Sequence, residues 1–250
     1  MNHVVLARKW RPKKFADLVG QQNSVKILAN IIKNERIHHA IILTGTRGVG
    51  KTTIARIIAK ALNCLTPIDG DPCTTCNNCL QIDQGHFIDV IEIDAASNTG
   101  VDNVRELIDN SQYAPTHGKY KVYIIDEVHM LSKSAFNAML KTLEEPPQFV
   151  VFILATTDLP KVPLTILSRC LQLKLRDLLV PEIEQYLATI LTQEQRQFEA
   201  KALNLIAVAA RGSMRDALSL LDQATAFSDT TISEVIVKDM LGLSGDEVIY

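Results

Sequence analysis

The stretch Gly45-Thr46-Arg47-Gly48-Val49-Gly50-Lys51-Thr52 decides how the rest of this 250-residue chain is read. It fits the pattern GxxxxGK[ST], in which backbone N–H groups wrap phosphates when the loop lies between a strand and a helix. The flanks supply that setting. Ile41-Ile42-Leu43-Thr44 is a short apolar run before the loop, and Ile54, Ile57, Ile58 and Ala61 recur at helical spacing after it. The bland alternative is an ordinary glycine-rich turn. Read as a phosphate loop, the helix N-terminus adds partial positive charge, Lys51 reaches the β- and γ-phosphates, and Thr52 supplies an oxygen to Mg2+. Gly45, Thr46, Arg47, Gly48, Val49, Gly50, Lys51, Thr52 and Thr53 are the candidate nucleotide contacts.

Further apolar runs at 90–93, 122–125 and 150–154 alternate with segments of helical period at 101–108 and 136–143. Such alternation predicts a parallel sheet with helices on both faces, an α/β fold. After the run 171–175 the pattern changes to four amphipathic helical segments, 183–191, 202–210, 214–226 and 232–241. The expected division is a nucleotide-binding domain over 1–178 and a small all-helical domain over 179–243, with Pro181 suited to a first helical turn.

The run Val122-Tyr123-Ile124-Ile125 ends in Asp126 and Glu127, roughly seventy residues beyond the phosphate loop. Carboxylates at the end of a parallel strand face the ligand crevice. There Asp126 would hold Mg2+ through its water shell, and Glu127 would orient or deprotonate the attacking water. In isolation an acidic pair after a strand is a solvated turn; after a phosphate loop it points to hydrolysis.

Four of the five cysteines, Cys64, Cys73, Cys76 and Cys79, fall within residues 64–79. Their tight spacing suits tetrahedral zinc in a closed, structural site inserted into the first domain. An iron–sulfur cluster is the alternative, although no second redox feature accompanies it. Cys170 stands apart and reads as a packed thiol. The net charge of −2 offers no global attraction to nucleic acid, so any DNA contact needs a local basic surface or several subunits. The first twenty residues lack an apolar signal core, and no apolar run approaches the length of a membrane span, which makes the expectation a cytoplasmic protein without membrane contact.

These motifs, with Ala7-Arg8-Lys9-Trp10-Arg11-Pro12, Phe15-Ala16-Asp17-Leu18-Val19-Gly20-Gln21, Asp126-Glu127-Val128-His129-Met130-Leu131, Leu143-Glu144-Glu145-Pro146-Pro147 and Leu167-Ser168-Arg169-Cys170, resemble the gamma/tau subunits of bacterial DNA polymerase III clamp loaders. The likeness covers essentially the whole chain. It implies an AAA+ ATPase core with a zinc module and a helical lid, within a DNA-directed DNA polymerase holoenzyme. It implies that Ala7, Arg11, Pro12 and Val19 line an adenine pocket. Thr157 matches the family's first nucleotide sensor, Arg169 a finger acting on the neighbouring subunit's nucleotide, and Arg215, in Gly212-Ser213-Met214-Arg215-Asp216-Ala217, the second sensor. Apart from the resemblance, Thr157 is a strand-end threonine and Arg215 a solvated side chain. The implied ligands and partners are ATP, Mg2+ and Zn2+, the other subunits of a hetero-oligomeric ring, a sliding clamp and primer–template DNA. Arg105 and Lys141 match positions that track the duplex backbone, yet each reads equally as solvated surface, and nearby Asn98 and Gly100 carry no positive charge. The family's third, collar-forming domain has no counterpart here, so the expectation is a truncated chain whose hydrolysis is weak on its own.

Three other readings compete. A branch-migration or remodelling helicase would share the phosphate loop and the acidic strand, but not the four-cysteine insertion or Ser168-Arg169-Cys170. A non-hydrolysing scaffold has no need of Lys51, Thr52, Asp126, Glu127 and Arg215 together, and residues 64–79 are too few for a free-standing zinc module.

Overall fold

The computed structural model describes residues 5–97, 101–228 and 231–243. These fall into two compact units. One contains Pro12–Gly45 and Lys51–Leu175; the other contains Thr46–Gly50 and the described residues of 1–11 and 176–250.

The larger unit is built on five strands, β1 (Ala40–Thr44), β2 (Val90–Asp94), β3 (Lys121–Asp126), β4 (Val150–Thr156) and β5 (Leu171–Lys174), all parallel in the order β2-β3-β4-β1-β5. β1 and β4 are buried along their whole length, as expected of parallel strands covered on both faces. The register pairs Thr44 with Thr156 and Asp94 with Asp126, so the polar ends of neighbouring strands share one edge of the sheet. On one face Ile42, Ile125, Phe152 and Leu154 form a core with Phe136, Met139 and Leu143 of α6 (Lys133–Glu144) and with Val104 and Leu107 of α5 (Val101–Ser111). The alternate strand residues Ile41, Leu43, Ile124 and Ile153 are buried as well, and α3 (Lys51–Asn63) packs against β1, β3 and β4.

Local chemistry sets the helix ends. Ser132 caps α6 by accepting the N–H of Ala135, and Pro146-Pro147 follows its end, where proline cannot continue a helix. α4 (Asn77–Gln84) starts at Cys76, inside the cysteine segment, and stops at Gly85, whose φ of +75° gives the left-handed cap. α2 (Gln22–Lys33), which packs against α3, and the short α7 (Leu164–Leu167) complete this unit.

The smaller unit holds α1 (Leu6–Lys9), α8 (Val180–Gln193), α9 (Ala200–Ala209), α10 (Met214–Phe227) and α11 (Glu234–Met240). Besides its helices it carries a two-residue parallel pair, β6 (Gln197–Phe198) with β7 (Thr231–Ile232). Ile232, expected at the start of a helix, instead pairs with Phe198. The helix begins after Ser233, whose hydroxyl accepts the N–H of Ile236. The N-terminal segment belongs to this unit by packing. Asp222 accepts the N–H of Leu6 at 2.8 Å, Glu194 accepts the indole N–H of Trp10 at 2.8 Å, and the Tyr186 hydroxyl donates to the Trp10 carbonyl at 2.9 Å. Sequence pattern alone assigns residues 1–11 to the sheet domain, because the pairing of Trp10 with α8 is not visible in local periodicity.

Candidate functional site

β1 delivers the chain into the phosphate loop at Gly45, and α3 begins at Lys51. The Lys51 side chain curls back so that Nζ donates to the Gly45 carbonyl at 2.9 Å. Burial pulls the Lys51 ammonium below its ordinary pKa, while the charges of Glu127 and Asp126 oppose the shift. A buried cation with this cost is one that an anionic ligand would stabilise. Thr52 Oγ1 donates to Asp126 Oδ2 at 2.5 Å, joining the first turn of α3 to the end of β3. Thr53 follows on α3, partly buried.

Asp126 also accepts the backbone N–H of Glu127 at 3.0 Å. Glu127 has a φ of +47°, a left-handed conformation uncommon for a residue with a side chain. This turn carries its carboxylate toward the end of β4. There Glu127 Oε2 accepts the hydroxyl of Thr157 at 3.0 Å and its backbone N–H at 3.3 Å. His129 Nδ1 lies 3.0 Å from the Thr156 hydroxyl and 3.4 Å from Glu127 Oε2. Sequence pattern alone assigns His129 and Thr156 no part in this cluster. His129 stands two residues behind Glu127 in the sequence, but only the folded turn directs its ring at β4.

Within the smaller unit, Thr46–Gly50 meets the start of α10. Gly48 has a φ of +80°, and a Cβ there would lie 1.9 Å from Ser213 Oγ and 3.3 Å from Arg215 Cβ, so only glycine fits. The N–H of Arg215 points at the Gly48 carbonyl across 3.4 Å. Ser213 caps α10 by accepting the N–H of Asp216. The Thr46 hydroxyl donates to Asp177 in a short bond. Val49 is buried, whereas Arg47 and Arg215 are exposed and Gly50 is partly covered. Of the expected base-lining residues, Ala7 and Arg11 lie in the smaller unit and Pro12 and Val19 in the larger.

Arg169 folds onto its own unit. Nη2 donates to Glu144 Oε1 at 2.6 Å and Nη1 to the Thr165 carbonyl at 2.6 Å. Arg105 on α5 and Lys141 on α6 are both exposed on helices that pack side by side. Asn98 and Gly100 lie outside the described residues.

The sulfur atoms of Cys64, Cys73, Cys76 and Cys79 all lie within 4.8 Å of one another, and Cys73 and Cys79 approach to 4.0 Å. With metal–sulfur bonds of about 2.3 Å, the edge of a tetrahedron is about 3.8 Å, so the donor set fits a four-thiolate ion. The thiols are not equivalent. A hydrogen bond from the Thr66 side chain, with further help from backbone N–H groups of Thr75 and Cys76, holds Cys73 down to about 5, whereas burial pushes Cys64 and Cys79 up. Cys170 packs against the sheet core, and burial pushes its thiol up to about 12.

Comparison with known proteins agrees with this architecture. Residues 20–179 match the family described as DNA polymerase III, delta subunit, and residues 182–230 the DNA polymerase III clamp loader subunit, ATPase lid domain. The chain is 58% identical over 246 residues to DNA polymerase III subunit tau/gamma of Haemophilus influenzae, covering 98% of this chain and 36% of that protein. It is 50% identical over 251 residues to DNA polymerase III subunit gamma of Buchnera aphidicola subsp. Baizongia pistaciae, covering 100% of this chain and 68% of the relative. The chain spans 36% of the length of the Haemophilus influenzae relative and 38% of that of subunit tau of Escherichia coli. Among solved structures, the Thermotoga maritima RuvB Holliday junction branch migration motor superimposes with a TM-score of 0.70 at 21% identity, over 94% of this chain and 72% of that one. That likeness identifies the AAA+ fold of the RuvB type. No helix among the described residues is long and apolar enough to cross a membrane. With fold, cysteine cluster and a 50% identical relative matched along the whole of this chain and 68% of its own length in agreement, the chain belongs to the family of DNA polymerase III gamma/tau subunits.

Proposed function

We propose that this chain is the ATP-hydrolysing motor region of a bacterial clamp loader, coupling nucleotide state to the opening of a sliding clamp and its loading on primed DNA. The observation that carries this reading is the convergence of Lys51, Thr52, Asp126, Glu127 and Thr157 at one edge of the sheet. In this reading Lys51 binds the β- and γ-phosphates, and Gly45 through Thr53 surround them with backbone N–H groups. Thr52 and Asp126 would hold Mg2+, Asp126 through its water shell, and the ion would neutralise charge on the transferring phosphoryl group. Glu127 then takes the proton of the attacking water. Its bond to Thr157 must first open, which makes Thr157 the residue that ties this base to nucleotide state. Ala7, Arg11, Pro12 and Val19 hold the adenine.

Arg169 serves the nucleotide of the adjacent subunit, and Arg215 reports the phosphates to the lid. In this reading the zinc module 64–79 is an insertion in the nucleotide-binding domain, and the helical segment over 179–243 is its lid. The four thiols hold zinc in a closed site that folds the insertion rather than reacts. Other subunits of a hetero-oligomeric ring, the sliding clamp and primer–template DNA are the partners, with Arg105 and Lys141 facing the duplex phosphates, in the cytoplasm. The test is steady-state ATP turnover by the full-length subunit assembled with its partners, with and without clamp and primed DNA, for wild type and Arg169→Ala. We expect turnover to rise with clamp and DNA and to fall about 10³-fold or more in the variant while ATP binding persists. Turnover indifferent to clamp, DNA and Arg169 would point to a different machine.

A further inference from the structure

We propose that Asp71, inside the cysteine loop, positions the segment that carries Pro12 and Val19, so that the metal module sets how tightly the base end of a nucleotide is held. The inference rests on the nucleotide-binding reading above. It starts from a turn with no cap of its own. Phe15–Asp17 forms a single 3-10 turn, and the side chain of Lys14 before it makes no capping bond. The cap comes from far along the chain. Asp71 Oδ1 accepts the N–H of Phe15 at 2.6 Å, and Asp71 Oδ2 accepts the N–H of Ala16 at 3.1 Å, across 56 and 55 residues of sequence. Charge-assisted bonds of this kind are the stronger class, and they fix a turn that lies between Pro12 and Val19.

The loop that presents Asp71 is itself held from both sides. Ile68 and Asp71 exchange a pair of backbone bonds at 2.9 Å. Gly70, at a φ of +87°, presses so closely on α2 that a Cβ would stand 2.5 Å from the Ala29 carbonyl oxygen. At its other end the loop runs into α4. Asp83 of α4 pairs at 2.7 Å with Lys60 of α3, a lysine only 1% exposed. The Asn78 side chain donates to the Asn63 carbonyl at 2.9 Å. The cysteine cluster thus lies between the helix that follows the phosphate loop and the turn at Phe15–Asp17. Lys51 and Thr52, by contrast, are held by Gly45 and Asp126. Loosening Asp71 therefore acts on the base side of the site and spares the phosphate side.

The experiment measures the affinity of the full-length subunit for ATP and for magnesium tripolyphosphate, which has no base, together with bound metal. Wild type is compared with Asp71→Ala and with Asp71→Asn, which keeps one acceptor oxygen. The expected result for Asp71→Ala is an ATP affinity lowered about tenfold, equivalent to about 1.4 kcal/mol, with tripolyphosphate affinity unchanged and metal retained. Asp71→Asn should fall between, and it decides the matter if Asp71→Ala loses its metal or fails to fold. Wild-type ATP affinity in the variants, or equal losses for ATP and tripolyphosphate, would overturn the inference. Failure of the wild type to bind either ligand would overturn the nucleotide reading and this inference with it.

Discussion

The Glu127 carboxylate is held against the end of β4. It is engaged by the hydroxyl and N–H of Thr157, and the left-handed backbone of Glu127 follows directly on Asp126. If Glu127 is the base of the proposed hydrolysis, leaving Thr157 before meeting water would separate binding from hydrolysis. For Glu127→Gln, which keeps the size and the acceptor oxygen but not the basicity, turnover should drop about 10²- to 10⁴-fold. ATP affinity should stay within about twofold, because Lys51 and the loop amides supply the binding. Equilibrium binding and single-turnover hydrolysis on the same preparation check both halves, and unchanged single-turnover rates would remove Glu127 from the role of base.

Among the elements, the connection into β3 depends on one buried acid. Asp89, 1% exposed, accepts the N–H groups of Thr116, His117 and Gly118 at 2.7, 2.6 and 2.7 Å, and its own carbonyl accepts the N–H of Val122. Burial pushes its carboxyl up, but the three N–H bonds and the nearby His117 outweigh it and leave the pKa below the ordinary value. A depressed folded pKa means that the stabilisation is complete above the unfolded value of about 3.9 and is lost as pH falls through the folded value. Asp89→Ala should therefore cost about 3 kcal/mol in urea unfolding at pH 7, since three N–H groups lose a charged acceptor. The gap between variant and wild type should narrow below about pH 4. A gap that stays constant down to the acid limit would show that the carboxylate charge is not what matters. The same physics limits what periodicity reveals at this scale. The apolar runs that became β1, β3 and β4 announce themselves by composition, whereas the 116–118 loop is ordered by an acid 27 to 29 residues away.

At the scale of the whole molecule, Arg169 has an intramolecular partner in Glu144, 2.6 Å away, at the end of α6. If its catalytic service is to a neighbour, two defective subunits should complement each other. Complexes assembled from a mixture of full-length Lys51→Ala and Arg169→Ala subunits should turn over ATP faster than either variant alone. A mixed interface in which the Arg169→Ala subunit supplies the Lys51 loop and the Lys51→Ala subunit supplies Arg169 has both groups intact. Steady-state hydrolysis across mixing ratios reads this directly: a maximum at intermediate ratio is expected, and a straight line between the two pure variants would place Arg169 in service of its own chain.

The linear sequence by itself determined the alternation that makes a parallel sheet, the expected change to helices near residue 179, and the clustering of four thiols within residues 64–79. These are short-range properties, set by side-chain period and loop length. Only tertiary structure decided which distant groups touch. Strand order brings Thr52 to Asp126 across 74 residues and Thr157 to Glu127 across 30. It aims His129 at Thr156, while loop packing carries Asp71 to the N–H groups of Phe15 and Ala16. Packing within the helical unit joins the first residues to it through Leu6 and Trp10. The physical reason is that a hydrogen bond between remote residues leaves no trace in local period. It exists only because burial of the apolar strands forces one sheet order, and that order sets the neighbours of every polar group at the sheet's edge.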